Sequence, residues 1–147
     1  MNHPVIVTAF YGDVVGHDAA NGRRLFVHAV GERKALGGFA RIIVKAIELL
    51  VTDTRIFAVA AGSVHCFEYP SGRPIGVATL TGDQTSLRPT MLLSNDRILI
   101  GLGSLLHCLD LNGTVLWTAP AYGENLLYGN MAIAVPGDAR QQDVEGT

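Results

Sequence analysis

Charge is scarce in this chain, and none of it is massed. Only 16% of the 147 residues are charged, and eleven basic against thirteen acidic side chains leave a net charge of -2. No run of Lys and Arg supplies the basic face that nucleic acid requires, so nucleic acid is not an expected partner. Long apolar sequence is missing too. Residues 42–51 (IIVKAIELLV) are interrupted by Lys45 and Glu48 and fall well short of the ~20 residues that cross a bilayer, so no membrane span is expected. The first fifteen residues show no basic leader followed by an apolar core, which makes cytoplasmic residence the expectation.

Cysteine is nearly absent. Cys66 and Cys108 each follow a histidine, His65 and His107. Neighbouring strand residues point to opposite faces, so a His-Cys dipeptide cannot close on one ion. Each cysteine is expected to be a small buried hydrophobe. The five histidines (His3, His17, His28, His65 and His107) have no metal-ligand spacing, and no metal is expected. The motifs of a nucleophile elbow, a P-loop, a dinucleotide fingerprint and a zinc protease are all missing. Gly101 and Gly103 form a lone Gly-x-Gly, weak as a phosphate cradle. No catalytic residue, cofactor-binding residue or cofactor is therefore expected.

What is present is apolar surplus and repetition. Hydrophobic residues make up 48% of the chain, which suits sheets buried on both faces or a surface hidden against another chain. Residues 5–26 (VIVTAFYGDVVGHDAANGRRLF), 56–76 (IFAVAAGSVHCFEYPSGRPIG) and 98–117 (ILIGLGSLLHCLDLNGTVLW) align with one another. Gly16, Cys66 and Cys108 fall in register, followed by Asp18, Glu68 and Asp110, then Gly22, Gly72 and Gly113. The steps are 50 and 42 residues, a period typical of repeat architectures whose units share their cores.

Each unit reads as short strands joined by turns. In the third copy, residues 97–102, 105–111 and 114–118 are strands, and Asn112-Gly113 is a hairpin signal. Pro70-Ser71-Gly72 and Ala20-Asn21-Gly22 serve the same turn in the other copies, where glycine supplies positive φ. A further strand precedes two copies, since residues 92–98 (LLSNDRI) match residues 50–56 (LVTDTRI). The unit is therefore four antiparallel strands, a to d. The first copy has no room for strand a, and residues 126–135 (LLYGNMAIAV) read as strands a and b of a fourth. Asp18, Glu68 and Asp110 enter turns and are assigned to hairpin stabilisation; Arg55 and Arg97 are repeat-equivalent surface or inter-unit residues.

Residues 103–117, with Gly103, Cys108, Asp110, Gly113 and Trp117, resemble the repeat of pyrroloquinoline-quinone-type β-propellers. The second copy departs from it, with Gly76 at the tryptophan position and Glu68 for aspartate; the first has Phe26 there. WD-type propellers have a similar period, but their Trp-Asp dipeptide is missing. The resemblance implies an all-β fold, a partial propeller of about three four-stranded antiparallel blades. The domain spans residues 1–136, with blades at about 3–47, 48–90 and 91–123, a strand remnant at 126–136 and a polar tail at 137–147. A quinone dehydrogenase would need a full ring, a calcium site and a channel aspartate, and none of these is recognisable.

Propellers close with about four to eight blades, so an arc of three has two end faces. Each four-stranded face has a footprint of roughly 330 Å², and two arcs meeting at both ends would bury roughly 1,300 Å², enough for a stable interface. A homodimeric six-bladed ring is the expectation, with residues 126–128 supplying the missing first strand and residues 131–135 left without a place; the alternative is a fragment of a longer propeller, completed by another polypeptide. Residues 38–48 carry both helical spacing (Phe39, Ile42, Ile43, Ala46, Ile47) and β-branched Ile-Ile-Val, so helix and strand both stay open there. The functional expectation is a non-enzymatic binding or scaffold protein presenting loops of an oligomeric ring to a protein partner. The alternatives are a small-molecule sensor using the central channel and, behind it, a fragment of a quinone-dependent dehydrogenase.

Overall fold

The computed structural model describes residues 3–31, 33–36, 41–44, 46–60, 62–80, 88–121 and 131–136. These residues form antiparallel strands and no helix. The first sheet has three strands in the order β1 (Val5–Phe10), β2 (Asp13–Asp18), β3 (Arg24–Ala29). A hairpin of β4 (Arg33–Leu36) and β5 (Arg41–Val44) follows. The second sheet is β6 (Glu48–Val51), β7 (Arg55–Ala60), β8 (Ser63–Glu68), β9 (Pro74–Thr79), and the third is β10 (Thr90–Ser94), β11 (Arg97–Leu102), β12 (Leu105–Leu109), β13 (Val115–Pro120). The expected all-β partial propeller is what the chain forms: two four-stranded blades preceded by one with three strands among the described residues. Where helix and strand were both open, residues 41–44 and 48–51 are strand; residues 38–40 and 45 lie outside the described set.

The repeat extends to the backbone. Ladder pairs set Gly16 opposite Phe26, Cys66 opposite Gly76 and Cys108 opposite Trp117, so the aligned aromatic position is the same in space. A β-bulge falls at the next step of each third strand, after Gly16, Cys66 and Cys108, and each adds local twist. Gly22, Gly72 and Gly113 all have positive φ (77°, 77° and 85°), which explains the glycine at each turn. After the fourth strand, the amides of Val30, Leu80 and Ala121 donate to Gly12, Gly62 and Ser104 (2.9, 2.8 and 2.9 Å). One knot of hydrogen bonds thus ties each outer strand back to the preceding turn.

The core lies between blades. Ile56 to Ala60 are all essentially buried, because the second blade is covered on both faces. Phe57, Val59, Val64 and Cys66 pack with Met91, Ile98, Ile100 and Leu109 of the third blade. Ile56, Ala58, Phe67 and Tyr69 pack on Val5 and Val14 of the first. Double burial is why this strand reads as a continuous apolar run instead of alternating. Full burial of one such side chain stabilises by about 1.5–3 kcal/mol.

Candidate interaction surface

Antiparallel partners share a face, so Ile6, Thr8 and Phe10, opposite His17, Val15 and Asp13, point away from the second blade. Their equivalents point toward the preceding blade. There Ile56 and Ile98 are fully buried, whereas Ile6 is 54% exposed. Phe10 is 81% exposed, while its equivalents Ala60 and Leu102 are 1% and 5%. Outer-strand residues such as Val27, Val77 and Leu116 are exposed in every blade, so they carry no such contrast. The first blade therefore presents a blade-to-blade face in the open.

Its inner edge is also unlike the others. In the second blade, the backbone groups of Phe57 and Val59 face strand β6, which pairs with β7. In the first blade the equivalent positions are Val7 and Ala9, and β1 pairs with β2 and with no other described strand. The outermost position, Val5, is closed by a side chain: its N–H donates to Tyr69 Oη (3.2 Å), and the same hydroxyl donates to Val5 O (2.7 Å). Beside Ala9 lies a cavity of ≈ 330 Å³, lined by Ala9, Phe10, Tyr11, Gly12, Ala46, Ile47 and Arg88.

The first and second blades are joined by an aromatic clamp. Phe26 covers Gly16 and the turn glycine Gly72, leaving no room for a methyl at either. His28 stacks on Phe67 (4.6 Å between centroids, 9° between planes) and donates from Nε2 to Gly72 O (2.6 Å). The corresponding aromatic of the third blade, Trp117, is 46% exposed. The corresponding turn glycine of the first blade, Gly22, would meet nothing within 4 Å of an added Cβ.

The sequence candidates for chemistry occupy structural places. Cys66 and Cys108 are free and buried, and burial pushes the Cys66 thiol up, a shift that Arg55 opposes. His65 and His107 do not converge with the cysteines, since each points to the opposite face. Burial lowers the pKa of both histidines. His107 sits fully buried with Nδ1 2.9 Å from Thr118 Oγ1 and Nε2 without a hydrogen-bond partner among the described residues. His17 uses Nδ1 to donate to Gly22 O (3.2 Å) and Nε2 to accept from Thr8 Oγ1 (2.8 Å).

Asp18 accepts from the amide of Ala20, and Asp110 from those of Asn112 and Thr114. Glu68 instead takes Arg73 at 2.8 Å and the Ser71 hydroxyl at 2.7 Å, and those bonds hold its carboxyl below the usual range. Arg55 and Arg97 each donate to the preceding carbonyl. Among the described residues no group of three His, Cys, Asp or Glu could hold a metal ion, and no helix is long and apolar enough to cross a membrane.

At the other end of the arc, residues 131–135 are in no strand, yet Met131, Ile133 and Val135 are half-buried and Ala132 and Ala134 exposed. Met131 packs on Gly101, where an added Cβ would meet its Cβ at 2.8 Å, and its carbonyl accepts from Thr90 Oγ1. Residues 131–135, read from the sequence as strand b of a fourth copy, pair with no described strand and lie against the third blade. Residues 126–128 lie outside the described set.

A partial β-propeller is the class these blades define, and solved structures agree. The chain is similar to BamB from Moraxella catarrhalis (20% identity, TM-score 0.54), covering 79% of this chain and 32% of that one. It is also similar to the WD40 domain of Neurospora crassa Pan2 (13%, 0.56; 89% and 39%) and to a europium-containing methanol dehydrogenase (14%, 0.51; 79% and 22%). At these identities the likeness is one of fold, and the chain spans between 22% and 39% of their lengths. No protein-family model and no curated protein matches the chain.

Proposed function

We propose that this chain is a non-enzymatic binding module of the pyrroloquinoline-quinone-type propeller kind, whose open first-blade face takes up protein. The observation that supports this reading most directly is Ile6, 54% exposed at a position where Ile56 and Ile98 are 0%. An interface residue without its interface is a docking surface for something of blade-like shape. Polar chemistry contributes little to that face: Thr8 and His17 satisfy each other, leaving apolar contact as the driving force.

A photo-crosslinking residue placed at Phe10 tests this, with the same residue at Asp96, exposed on a distant turn, as control. Discrete protein adducts are expected from position 10 and not from position 96. Absence of adducts at position 10, both in the producing cell and in concentrated purified protein, overturns the reading.

The cavity beside Ala9 favours a second reading, a small-molecule site at the mouth of the channel. Its volume is at the low end of the ~300–1,000 Å³ usual for such sites. A metabolite that binds there should raise the Tm of the full chain in a concentration-dependent way.

A further inference from the structure

We propose that the occupant of the open face is the opposite end of a second copy of this chain, and that residues 131–135 of that copy complete the first blade as its missing strand a. The inference rests on the protein-binding reading of that face and names its partner.

The two ends of the arc are complementary in three independent respects. The first is the face. In this fold, Ile56 and Ile98 are each covered by the rear face of the blade before them; Ile6 needs the same kind of surface, and on the third blade's rear face Leu92 and Cys108 are buried while Leu99 and Leu106 stay part-exposed. The second is the clamp. Phe26 of the first blade caps Gly72 of the second; Trp117, exposed at the equivalent place, has Gly22 of a second copy as its equivalent target. Gly22 has the open space above it that a large ring needs.

The third respect is the strand. Met131 lies over Thr90 and Gly101, which belong to the two inner strands β10 and β11 of the third blade. That is where the innermost strand of a following blade runs. Five residues match the four of β6 and five of β10. The alternating burial turns Met131, Ile133 and Val135 toward one side, leaving Ala132 and Ala134 for the other. Small residues suit that other side, because in the acceptor it is already filled by Val5, Val7, Ile47 and Leu49. The acceptor's edge offers Val7 and Ala9, with Tyr69 closing the position beyond them. Main-chain pairing of this kind gives affinity without polar side chains.

Two such joints related by a two-fold axis make a ring of six blades, within the range in which propellers close. Two contacts of each end face bury roughly 1,300 Å² by footprint, the size of a stable interface.

The test uses full-length chains in two populations, one carrying Thr8→Cys and the other, in turn, Met131→Cys, Ile133→Cys or Val135→Cys. Thr8 is chosen because it faces away from the second blade, and facing residues of paired strands are close enough for a disulfide. Mixing and mild oxidation should give a heterodimer of twice the 15.6 kDa chain mass at one or two of the three positions. The unmodified chain should show that same mass by light scattering. Its tryptophan emission should shift to the red on dilution, since Trp117 is the only tryptophan.

A chain that stays at 15.6 kDa at tens of micromolar overturns the inference. So does an internal disulfide in a monomer carrying both cysteines. A dimer that cross-links at none of the three positions overturns the strand assignment. An adduct of position 10 to a foreign protein alone removes the second copy while leaving the binding reading in place.

Discussion

At the scale of single residues, the tightest constraint is the space above Gly16. The Phe26 ring occupies the position of its absent side chain, so Gly16→Ala should destabilise by about 1–3 kcal/mol through overpacking. Combining it with Phe26→Leu should recover part of that loss, and a denaturant double-mutant cycle measures the coupling.

His107 offers a second residue-scale test. Its burial lowers the folded-state pKa below the ordinary 6.5, so above 6.5 it is neutral in both states. Below 6.5 the unfolded chain takes up a proton that the folded chain resists. Stability should therefore decline as pH falls from 6.5 toward the depressed value, and His65 adds in the same direction. His107→Leu should flatten this acid limb in urea midpoints measured from pH 7.5 to 5. An unchanged slope would show that other groups set it.

At the scale of elements, one substitution has different meanings in different blades. Ile56→Ala and Ile98→Ala each empty a fully buried site and should cost about 2–5 kcal/mol. Ile6→Ala at the equivalent position should cost the monomeric fold under about 1 kcal/mol, with its effect appearing in association instead. Chemical denaturation of the three variants at low concentration separates them.

The elements were also the most legible part of the sequence. Strands b to d of each blade could be read because turn glycines punctuate them and because Gly16, Cys66 and Cys108 stay in register. Strand a of two blades was visible from its apolar pair followed by the Asp-x-Arg or Asp-Arg turn. Less legible was anything that depends on two distant side chains meeting. Tyr69 sits in the sequence as a turn residue, and nothing local says that its hydroxyl closes the edge at Val5 64 positions away. His28 gave no ligand spacing because its partners are a ring and a carbonyl in the next blade. Residues 131–135 matched strand b by pattern, yet they pair with no described strand and Met131 packs on Gly101 of the third blade.

At the scale of the whole molecule, stability and assembly are linked. In the proposed dimer, closure at both ends stabilises the folded state by mass action, so the Tm should climb as protein concentration is raised. Ile6→Glu with Phe10→Glu should abolish that dependence and lower the solution mass to that of one chain. Differential scanning calorimetry across a hundredfold range of concentration reads the first effect and light scattering the second. A Tm independent of concentration in the unsubstituted chain would sever the link.

The two-sided burial of the second blade also bears on how the chain comes apart. Its strands have neighbours on both faces, whereas the first blade offers Ile6 and Phe10 to water. In a one-dimensional stack of this kind, fluctuations begin at the weakest terminal unit and propagate inward. Amide hydrogen exchange should then be slowest at Phe57 to Val59 and faster by orders of magnitude along Val5 to Phe10. The middle blade is accordingly the last cooperative unit to open, and the first blade sets the lifetime of the free arc.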